Sequence, residues 1–256
     1  MIGEIRVAGP CAAESKGQML EAARALQNIG VDVVRGCWWK PRTQPGWDGV
    51  GKKAAPWGSE ITRMGMTVAT EVLQPEHVIK VIKGIEENGG DPERVMMWLG
   101  SRNQNDRVQK AIGRSLVRNA PEQVKLLVKN QPWADEKHWI GIVKHLESVG
   151  LPPDRMIMVH RGFHPNGHDN PNGLRNIPDW EMVRRVKEQT GLPMLIDPSH
   201  IGGNVENVIG ITLEASNTGL FDGFIIEAHP HPDTARTDAK QQLSMDRLKK
   251  LMDQIH

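Results

Sequence analysis

Four side chains far apart in the sequence carry the chemistry of a transition-metal ligand set: Cys11, His200, Glu227 and Asp238. A thiolate, an imidazole and two carboxylates suit a divalent first-row ion better than magnesium or calcium, which take oxygen ligands. No CxxC or HExxH spacing joins them, so only a fold that gathers distant segments would build such a site. His229 and His231, two and four residues past Glu227, compete as nitrogen donors. A second set is cationic: Arg35, Lys40, Arg42, Arg102, Lys129 and Arg161. Guanidinium forks read planar oxyanions with paired bonds and ammonium groups add compact point charges, so the mixture suits phosphate and carboxylate groups. Taken singly, each has an ordinary reading: a solvated cation, a small buried thiol, a histidine at a helix end.

Charge balance narrows the ligand. Six cations plus a divalent metal, less a thiolate and two carboxylates, sum to about +5, or about +4 with an ionised Glu71 nearby. Two phosphate monoesters and one carboxylate carry roughly −4 to −5, which matches a pair of phosphorylated substrates, one of them also an acid.

These residues need elements to position them. Short apolar, β-branched runs at 4–9, 31–36, 67–72, 95–100, 124–130, 156–162, 194–200 and 223–229 alternate with helical periods such as 18–30 and 75–90. Gly30, Gly89 and Gly150 fall where helices should stop, and Pro75 and Pro178 where helices should begin. Eight nearly continuous apolar strands separated by helices predict a single-domain (β/α)8 barrel over residues 1–256, with its site at the carboxyl ends of the strands. Every one of the candidate residues falls at or just beyond such an end, with Glu71 after the third strand and Ser101 beside Arg102 after the fourth. A three-glycine dinucleotide fingerprint and a GK[ST] phosphate loop are both missing, which argues against an open doubly wound sheet.

Composition excludes other classes. With 32 basic and 31 acidic side chains, the net charge of +1 gives no global field for nucleic acid or an anionic membrane. Two cysteines make no disulfide scaffold, no apolar run reaches membrane-spanning length, and the first residues read as a strand rather than a signal peptide. The expected location is the cytoplasm. Eight Trp and three Phe accompany no Tyr, a bias compatible with an engineered sequence.

The segments GPCAAES (9–15), RGCWWKPRTQPG (35–46), LGSRNQN (99–105), LLVKN (126–130), HRG (160–162), IDPSHIGG (196–203) and IEAHPHPDTARTDAKQQL (226–243) together resemble the 3-deoxy-D-arabino-heptulosonate 7-phosphate (DAHP) synthases, in the family's order and over essentially the whole chain. The likeness is to the short, barrel-only branch related to forms fused to chorismate mutase. It implies an aldol-type condensation of phosphoenolpyruvate with erythrose 4-phosphate, the first step of the shikimate route to aromatic amino acids. It implies metal ligation by Cys11, His200, Glu227 and Asp238, with manganese the leading choice and iron, cobalt or zinc the others. Phosphoenolpyruvate would meet Arg102, Lys129 and Arg161 at its phosphate and Arg35, Lys40 and Lys129 near its carboxylate, while Arg42 and Thr43 would take the sugar phosphate. Lys40 is expected to pass a proton to the forming alkoxide, its pKa lowered by neighbouring cations, or to act by charge alone. Glu71 would orient water or pair with a cation. Ser101, Cys37 and Trp38 depart from the family's usual residues, and Ser101 would add a hydroxyl to the phosphate site.

The resemblance also implies a homodimer or homotetramer without a regulatory or mutase domain, hence without feedback by aromatic amino acids through one. Two other readings compete: an octulosonate 8-phosphate synthase using arabinose 5-phosphate, disfavoured by the KPRT loop, and a non-catalytic phosphosugar-binding or engineered barrel.

Overall fold

The computed structural model describes residues 2–40, 46–167, 169–170 and 172–255. Strands β1 (Ile5–Gly9), β2 (Val33–Arg35), β3 (Thr67–Glu71), β4 (Val95–Leu99), β5 (Lys125–Lys129), β6 (Met156–His160), β7 (Met194–Ile196) and β8 (Gly223–His229) pair in parallel with their sequence neighbours. The β1 and β8 strands also pair, Val7 opposite Ile225 and Gly9 opposite Glu227, so the sheet closes on itself. Between the strands lie α1 (Lys16–Asn28), α2 (Ala55–Arg63), α3 (Pro75–Glu87), α4 (Asp106–Asn119), α5 (Glu136–Glu147) and α6 (Trp180–Thr190). The α7 (Pro198–Gly202) and α8 (Val205–Thr218) helices follow β7, and a two-residue strand β9 (Leu243–Ser244) pairs with β8 before α9 (Met245–Ile255). This is a (β/α)8 barrel.

Alternate residues of each strand divide the core. Val7, Trp98, Leu127, Val159, Leu195 and Ile225 belong to the cluster inside the barrel. Their neighbours, such as Ala8, Leu99, Leu126, Val128 and Ile226, pack outward under the helices. Two-sided burial explains why the strands read as apolar runs without strict alternation.

Local chemistry fixes where helices begin. Ser15, Asn105, Asp135, Asp179, Asp197 and Asn204 each cap a helix by accepting a backbone N–H from its first turn. Pro75 opens α3 as expected, but Pro178 does not open α6, because Asp179 is the cap and Trp180 the first helical residue. Gly30, Gly89 and Gly150 adopt positive φ just past their helices, as expected.

The larger correction concerns 194–200, which does not run as one strand. Pro198 has no N–H for a sheet ladder, and Asp197 turns inward as a cap, so β7 ends at Ile196 and His200 stands on α7. Gly9, with φ of +141°, lets β1 pass against Arg35, whose carbonyl oxygen a Cβ would meet at 2.5 Å. That close approach brings the ends of β1 and β2 together at the site.

Candidate active site

At the carboxyl ends of the strands lies a cavity of about 340 Å³. Arg35, Lys40, Arg102, Lys129 and Arg161 all border it, together with Glu71, Ser101, His200, Glu227 and Asp238. Five of the six expected cations therefore converge. Arg42 and Thr43 lie outside the described residues.

Cys11 is fully buried beside the cavity's Glu227 and Asp238. Its Sγ, one oxygen of Glu227 and one of Asp238 lie within 4.8 Å of one another. His200 stands slightly apart, with Nε2 at 3.9 Å from Oε1 of Glu227. Its Nδ1 bonds to Asp197 at 2.9 Å, which assigns the ring proton to Nδ1 and leaves the Nε2 lone pair on the cavity side. Burial pulls the His200 pKa down, against the opposing Asp197 carboxylate, so the ring is neutral as a ligand requires. Oε1 of Glu227 is buried without a hydrogen-bond donor, while Oε2 accepts from Gln241 Nε2 at 2.6 Å. Oε1 makes no hydrogen bond and faces the Arg35 guanidinium at 3.2 Å; a carboxylate oxygen so placed, with a thiol and a second carboxylate near it, fits a divalent cation. Asp238 has a left-handed backbone, φ +49°, a conformation unusual away from glycine, which aims its carboxylate toward Cys11 at 3.2 Å. The rival histidines face elsewhere: His229 contacts Gln18 and the His231 N–H, and His231 pairs with Glu21 on the surface.

The cations are held by specific anions. Arg35, 1 % exposed, pairs with Glu227 at 3.2 Å and lies over the Trp98 ring at 4.9 Å. Burial alone would weaken its charge, but Glu227 and its neighbours outweigh this and raise its pKa. Glu227 is shifted down in return, since burial is overcome by Arg35, His200 and Lys40. Lys129 donates to Asp197 at 2.7 Å and also approaches Trp98. Arg161 donates to Asn176 at 2.8 Å, and burial lowers its pKa to about 10. The guanidinium stays protonated at neutral pH.

Lys40 corrects the expectation of a lowered pKa. Its Nζ contacts Cys11 Sγ at 2.8 Å and Asp238 Oδ2 at 3.1 Å. Burial works to lower its pKa, but Cys11, Cys37, Glu227 and Asp238 prevail and hold it well above the ordinary lysine value. The neighbours that matter are two thiols and two carboxylates, not cations. Glu71 makes no ion pair among the described residues. Burial raises its pKa against Lys129, Lys40 and Arg35, and it contacts Cys37 Sγ at 3.6 Å. Burial likewise pushes the Cys37 thiol up to about 12, consistent with an unreactive packing role.

Several bordering residues escaped sequence reasoning. Trp98 reads as core because it is inside β4. Arg175 comes from a loop without a period, yet it reaches Asp238 at 3.4 Å and Gln241 at 2.7 Å. Arg236, Thr237 and Gln241 flank Asp238 in the run ARTDAKQ, and that adjacency was the available signal.

A family model described as the DAHP synthetase I family matches residues 4–86 and 111–256. The chain belongs to the DAHP synthetase I family. Among relatives, a phospho-2-dehydro-3-deoxyheptonate aldolase of Thermotoga maritima is 30% identical over 252 residues, covering 97% of this chain and 68% of that protein. A 2-dehydro-3-deoxyphosphooctonate aldolase of Nitrobacter hamburgensis is 26% identical, covering 93% of this chain and 82% of that one. The crystal structure of the Thermotoga maritima DAHP synthase superposes with a TM-score of 0.82 at 28% identity, covering 98% of this chain and 68% of its own. Its truncated form gives 0.78 at 28% identity, with 96% and 83% covered. Membership in the DAHP synthetase I family thus rests on the barrel as a whole, including the site-bearing segments on both sides of residues 87–110.

Proposed function

We propose that this barrel is a metal-dependent DAHP synthase, joining phosphoenolpyruvate to erythrose 4-phosphate with release of inorganic phosphate. The observation that carries the reading is the convergence around one cavity of five cations with His200, Glu227 and Asp238, the two carboxylates grouped with the buried Cys11 thiol. A divalent transition ion held by those four side chains would supply Lewis-acid polarisation of the sugar aldehyde.

The chain's own residues perform the remaining work. Arg102, Lys129 and Arg161 hold the enolpyruvate phosphate, and Arg35 with Lys40 and Lys129 faces its carboxylate. Fixing both anions orients the methylene carbon toward the aldehyde carbon of the second substrate. As the carbon-carbon bond forms, electrons from the enol double bond leave positive character at the phosphate-bearing carbon, and the aldehyde oxygen gains a pair. Lys40, fully protonated among its anionic neighbours, donates a proton to that oxygen. Glu71, buried with no ion pair among the described residues and with its pKa raised by burial, directs water to the cationic carbon. The resulting phosphate hemiketal collapses to the ketone and frees phosphate. Arg42 and Thr43 take the sugar phosphate in this reading.

The octulosonate relatives at 26% identity make arabinose 5-phosphate the rival substrate. Initial rates of phosphate release, with phosphoenolpyruvate and each sugar phosphate in turn, separate the two. The proposal expects kcat/KM for erythrose 4-phosphate to exceed that for arabinose 5-phosphate, and the reverse order would replace it.

A further inference from the structure

Most of the cavity's cations already have protein partners. Arg35 is tied to Glu227, Lys129 to Asp197, Lys40 to Cys11 and Asp238, Arg175 to Asp238 and Gln241, and Arg161 to Asn176. Arg236 differs. It borders the same cavity, but no oxygen of a described residue accepts from its guanidinium; the group lies over the Trp47 ring, 5.3 Å from Cζ to the ring centroid, and its charge acts on Glu14 without an ion pair. Its backbone N–H is anchored on Glu14 Oε1 at 2.8 Å. The indole limits the rotamer freedom of a long side chain and leaves its N–H donors for another acceptor, which prepares a guanidinium fork for an oxyanion.

Next in the chain, Thr237 gives a second and independent sign. It is 7 % exposed, borders the cavity, and its Oγ1 is buried with no hydrogen-bond partner. A buried hydroxyl left without a partner costs stability, and a bound ligand would remove that cost. Thr237 cannot swing away, because its carbonyl accepts from Gln242 Nε2 at 2.8 Å and Asp238 follows it into the site.

We propose that Arg236 and Thr237 form a subsite for the phosphate-bearing end of the sugar substrate and determine its affinity. Their placement is suited to that end and not to the enolpyruvate. Trp47 lies shortly after residues 41–45 in the segment that follows β2, so Arg236 sits where that segment meets the loop after β8. The enolpyruvate cations Lys129 and Arg161 come from the far strands β5 and β6. Asp238, directly after Thr237, is held by Lys40. Two phosphorylated substrates reacting head to head need their phosphates kept apart, and this division provides it. A guanidinium is an ion-pair donor with directional bonds, while the threonine hydroxyl adds a neutral donor on the same flank.

The inference rests on the proposed condensation, and its test separates the two. Wild type, Arg236→Ala, Arg236→Lys, Thr237→Val and Thr237→Ser are assayed with manganese by phosphate release, varying erythrose 4-phosphate and phosphoenolpyruvate separately. For Arg236→Ala the KM for the sugar phosphate is expected to rise about tenfold or more, the scale of one lost charge-assisted bond, with the KM for phosphoenolpyruvate within about twofold. Arg236→Lys should recover part of the loss, and Thr237→Ser should recover what Thr237→Val loses. A rise confined to the phosphoenolpyruvate KM would place the pair at the other substrate and overturn the inference. So would an unchanged sugar KM, or equal losses for both substrates with a lowered unfolding midpoint. If wild type itself releases no phosphate, the condensation reading fails; binding of erythrose 4-phosphate by calorimetry to wild type and Arg236→Ala then still decides the subsite, equal affinities overturning it.

Discussion

Asp197→Asn tests how the site's interior is held together. The carboxylate is fully buried and accepts from Lys129 Nζ at 2.7 Å, from His200 Nδ1 at 2.9 Å and from the His200 backbone N–H at 3.1 Å. Burial opposes its ionisation, but His200 and Lys129 overcome this and hold its pKa well below the ordinary range. The amide of Asp197→Asn keeps one acceptor for the helix cap and presents an NH2 where Lys129 donates. A buried ammonium then loses its counter-charge, which costs about 3–5 kcal/mol. For a chain of this size that corresponds to a fall in Tm of roughly 6–20 °C. A depressed carboxyl contributes fully above its unfolded pKa of about 3.9 and loses that contribution as pH falls, so pH 7 shows the whole difference. Urea unfolding of the metal-free protein at pH 7, followed by Trp fluorescence, measures it. A difference below about 1 kcal/mol would refute the claim that Asp197 balances the Lys129 charge.

Two further outcomes follow from the same geometry. His160 is fully buried among Trp139, Phe163 and Trp180, and burial, aided by Arg161, pushes its pKa down to about 3. Below about pH 6.5 the unfolded chain gains a proton that the folded chain refuses, so stability falls by about 1.4 kcal/mol per pH unit from this residue; His160→Gln should remove that slope between pH 6 and 4 in urea titrations, and parallel profiles would contradict it. Gln241→Leu removes the 2.6 Å bond that orients Glu227 and should weaken manganese binding by about 10- to 100-fold in calorimetric titration, with affinity within twofold of wild type as the contrary result.

The barrel was legible because two-sided burial leaves apolar runs, and these located all eight strands. Boundaries were less legible where one residue serves two roles. Asp197 ends β7, caps α7 and neutralises Lys129, and a sequence pattern records none of those demands separately. The convergence of Arg35, Lys40, Lys129 and Arg161 followed from their position at strand ends. The Lys40 environment did not, because its partners, the Cys11 thiol and the Asp238 carboxylate, lie 29 and 198 residues away in sequence. Arg175 and Arg236 come from loops, where neither periodicity nor strand position marks a side chain as facing the cavity. Thr237 was invisible for another reason: an unsatisfied hydroxyl is a property of the packed interior alone.

The most direct measurement of the account is phosphate release from phosphoenolpyruvate and erythrose 4-phosphate, before and after treatment with a chelator and after readdition of manganese. The account predicts sugar-dependent release that the chelator abolishes and the metal restores, with Cys11→Ser and Glu227→Gln losing the restoration. Folded protein that releases no phosphate with manganese, iron, cobalt or zinc, or that releases it undiminished after metal removal, would contradict it.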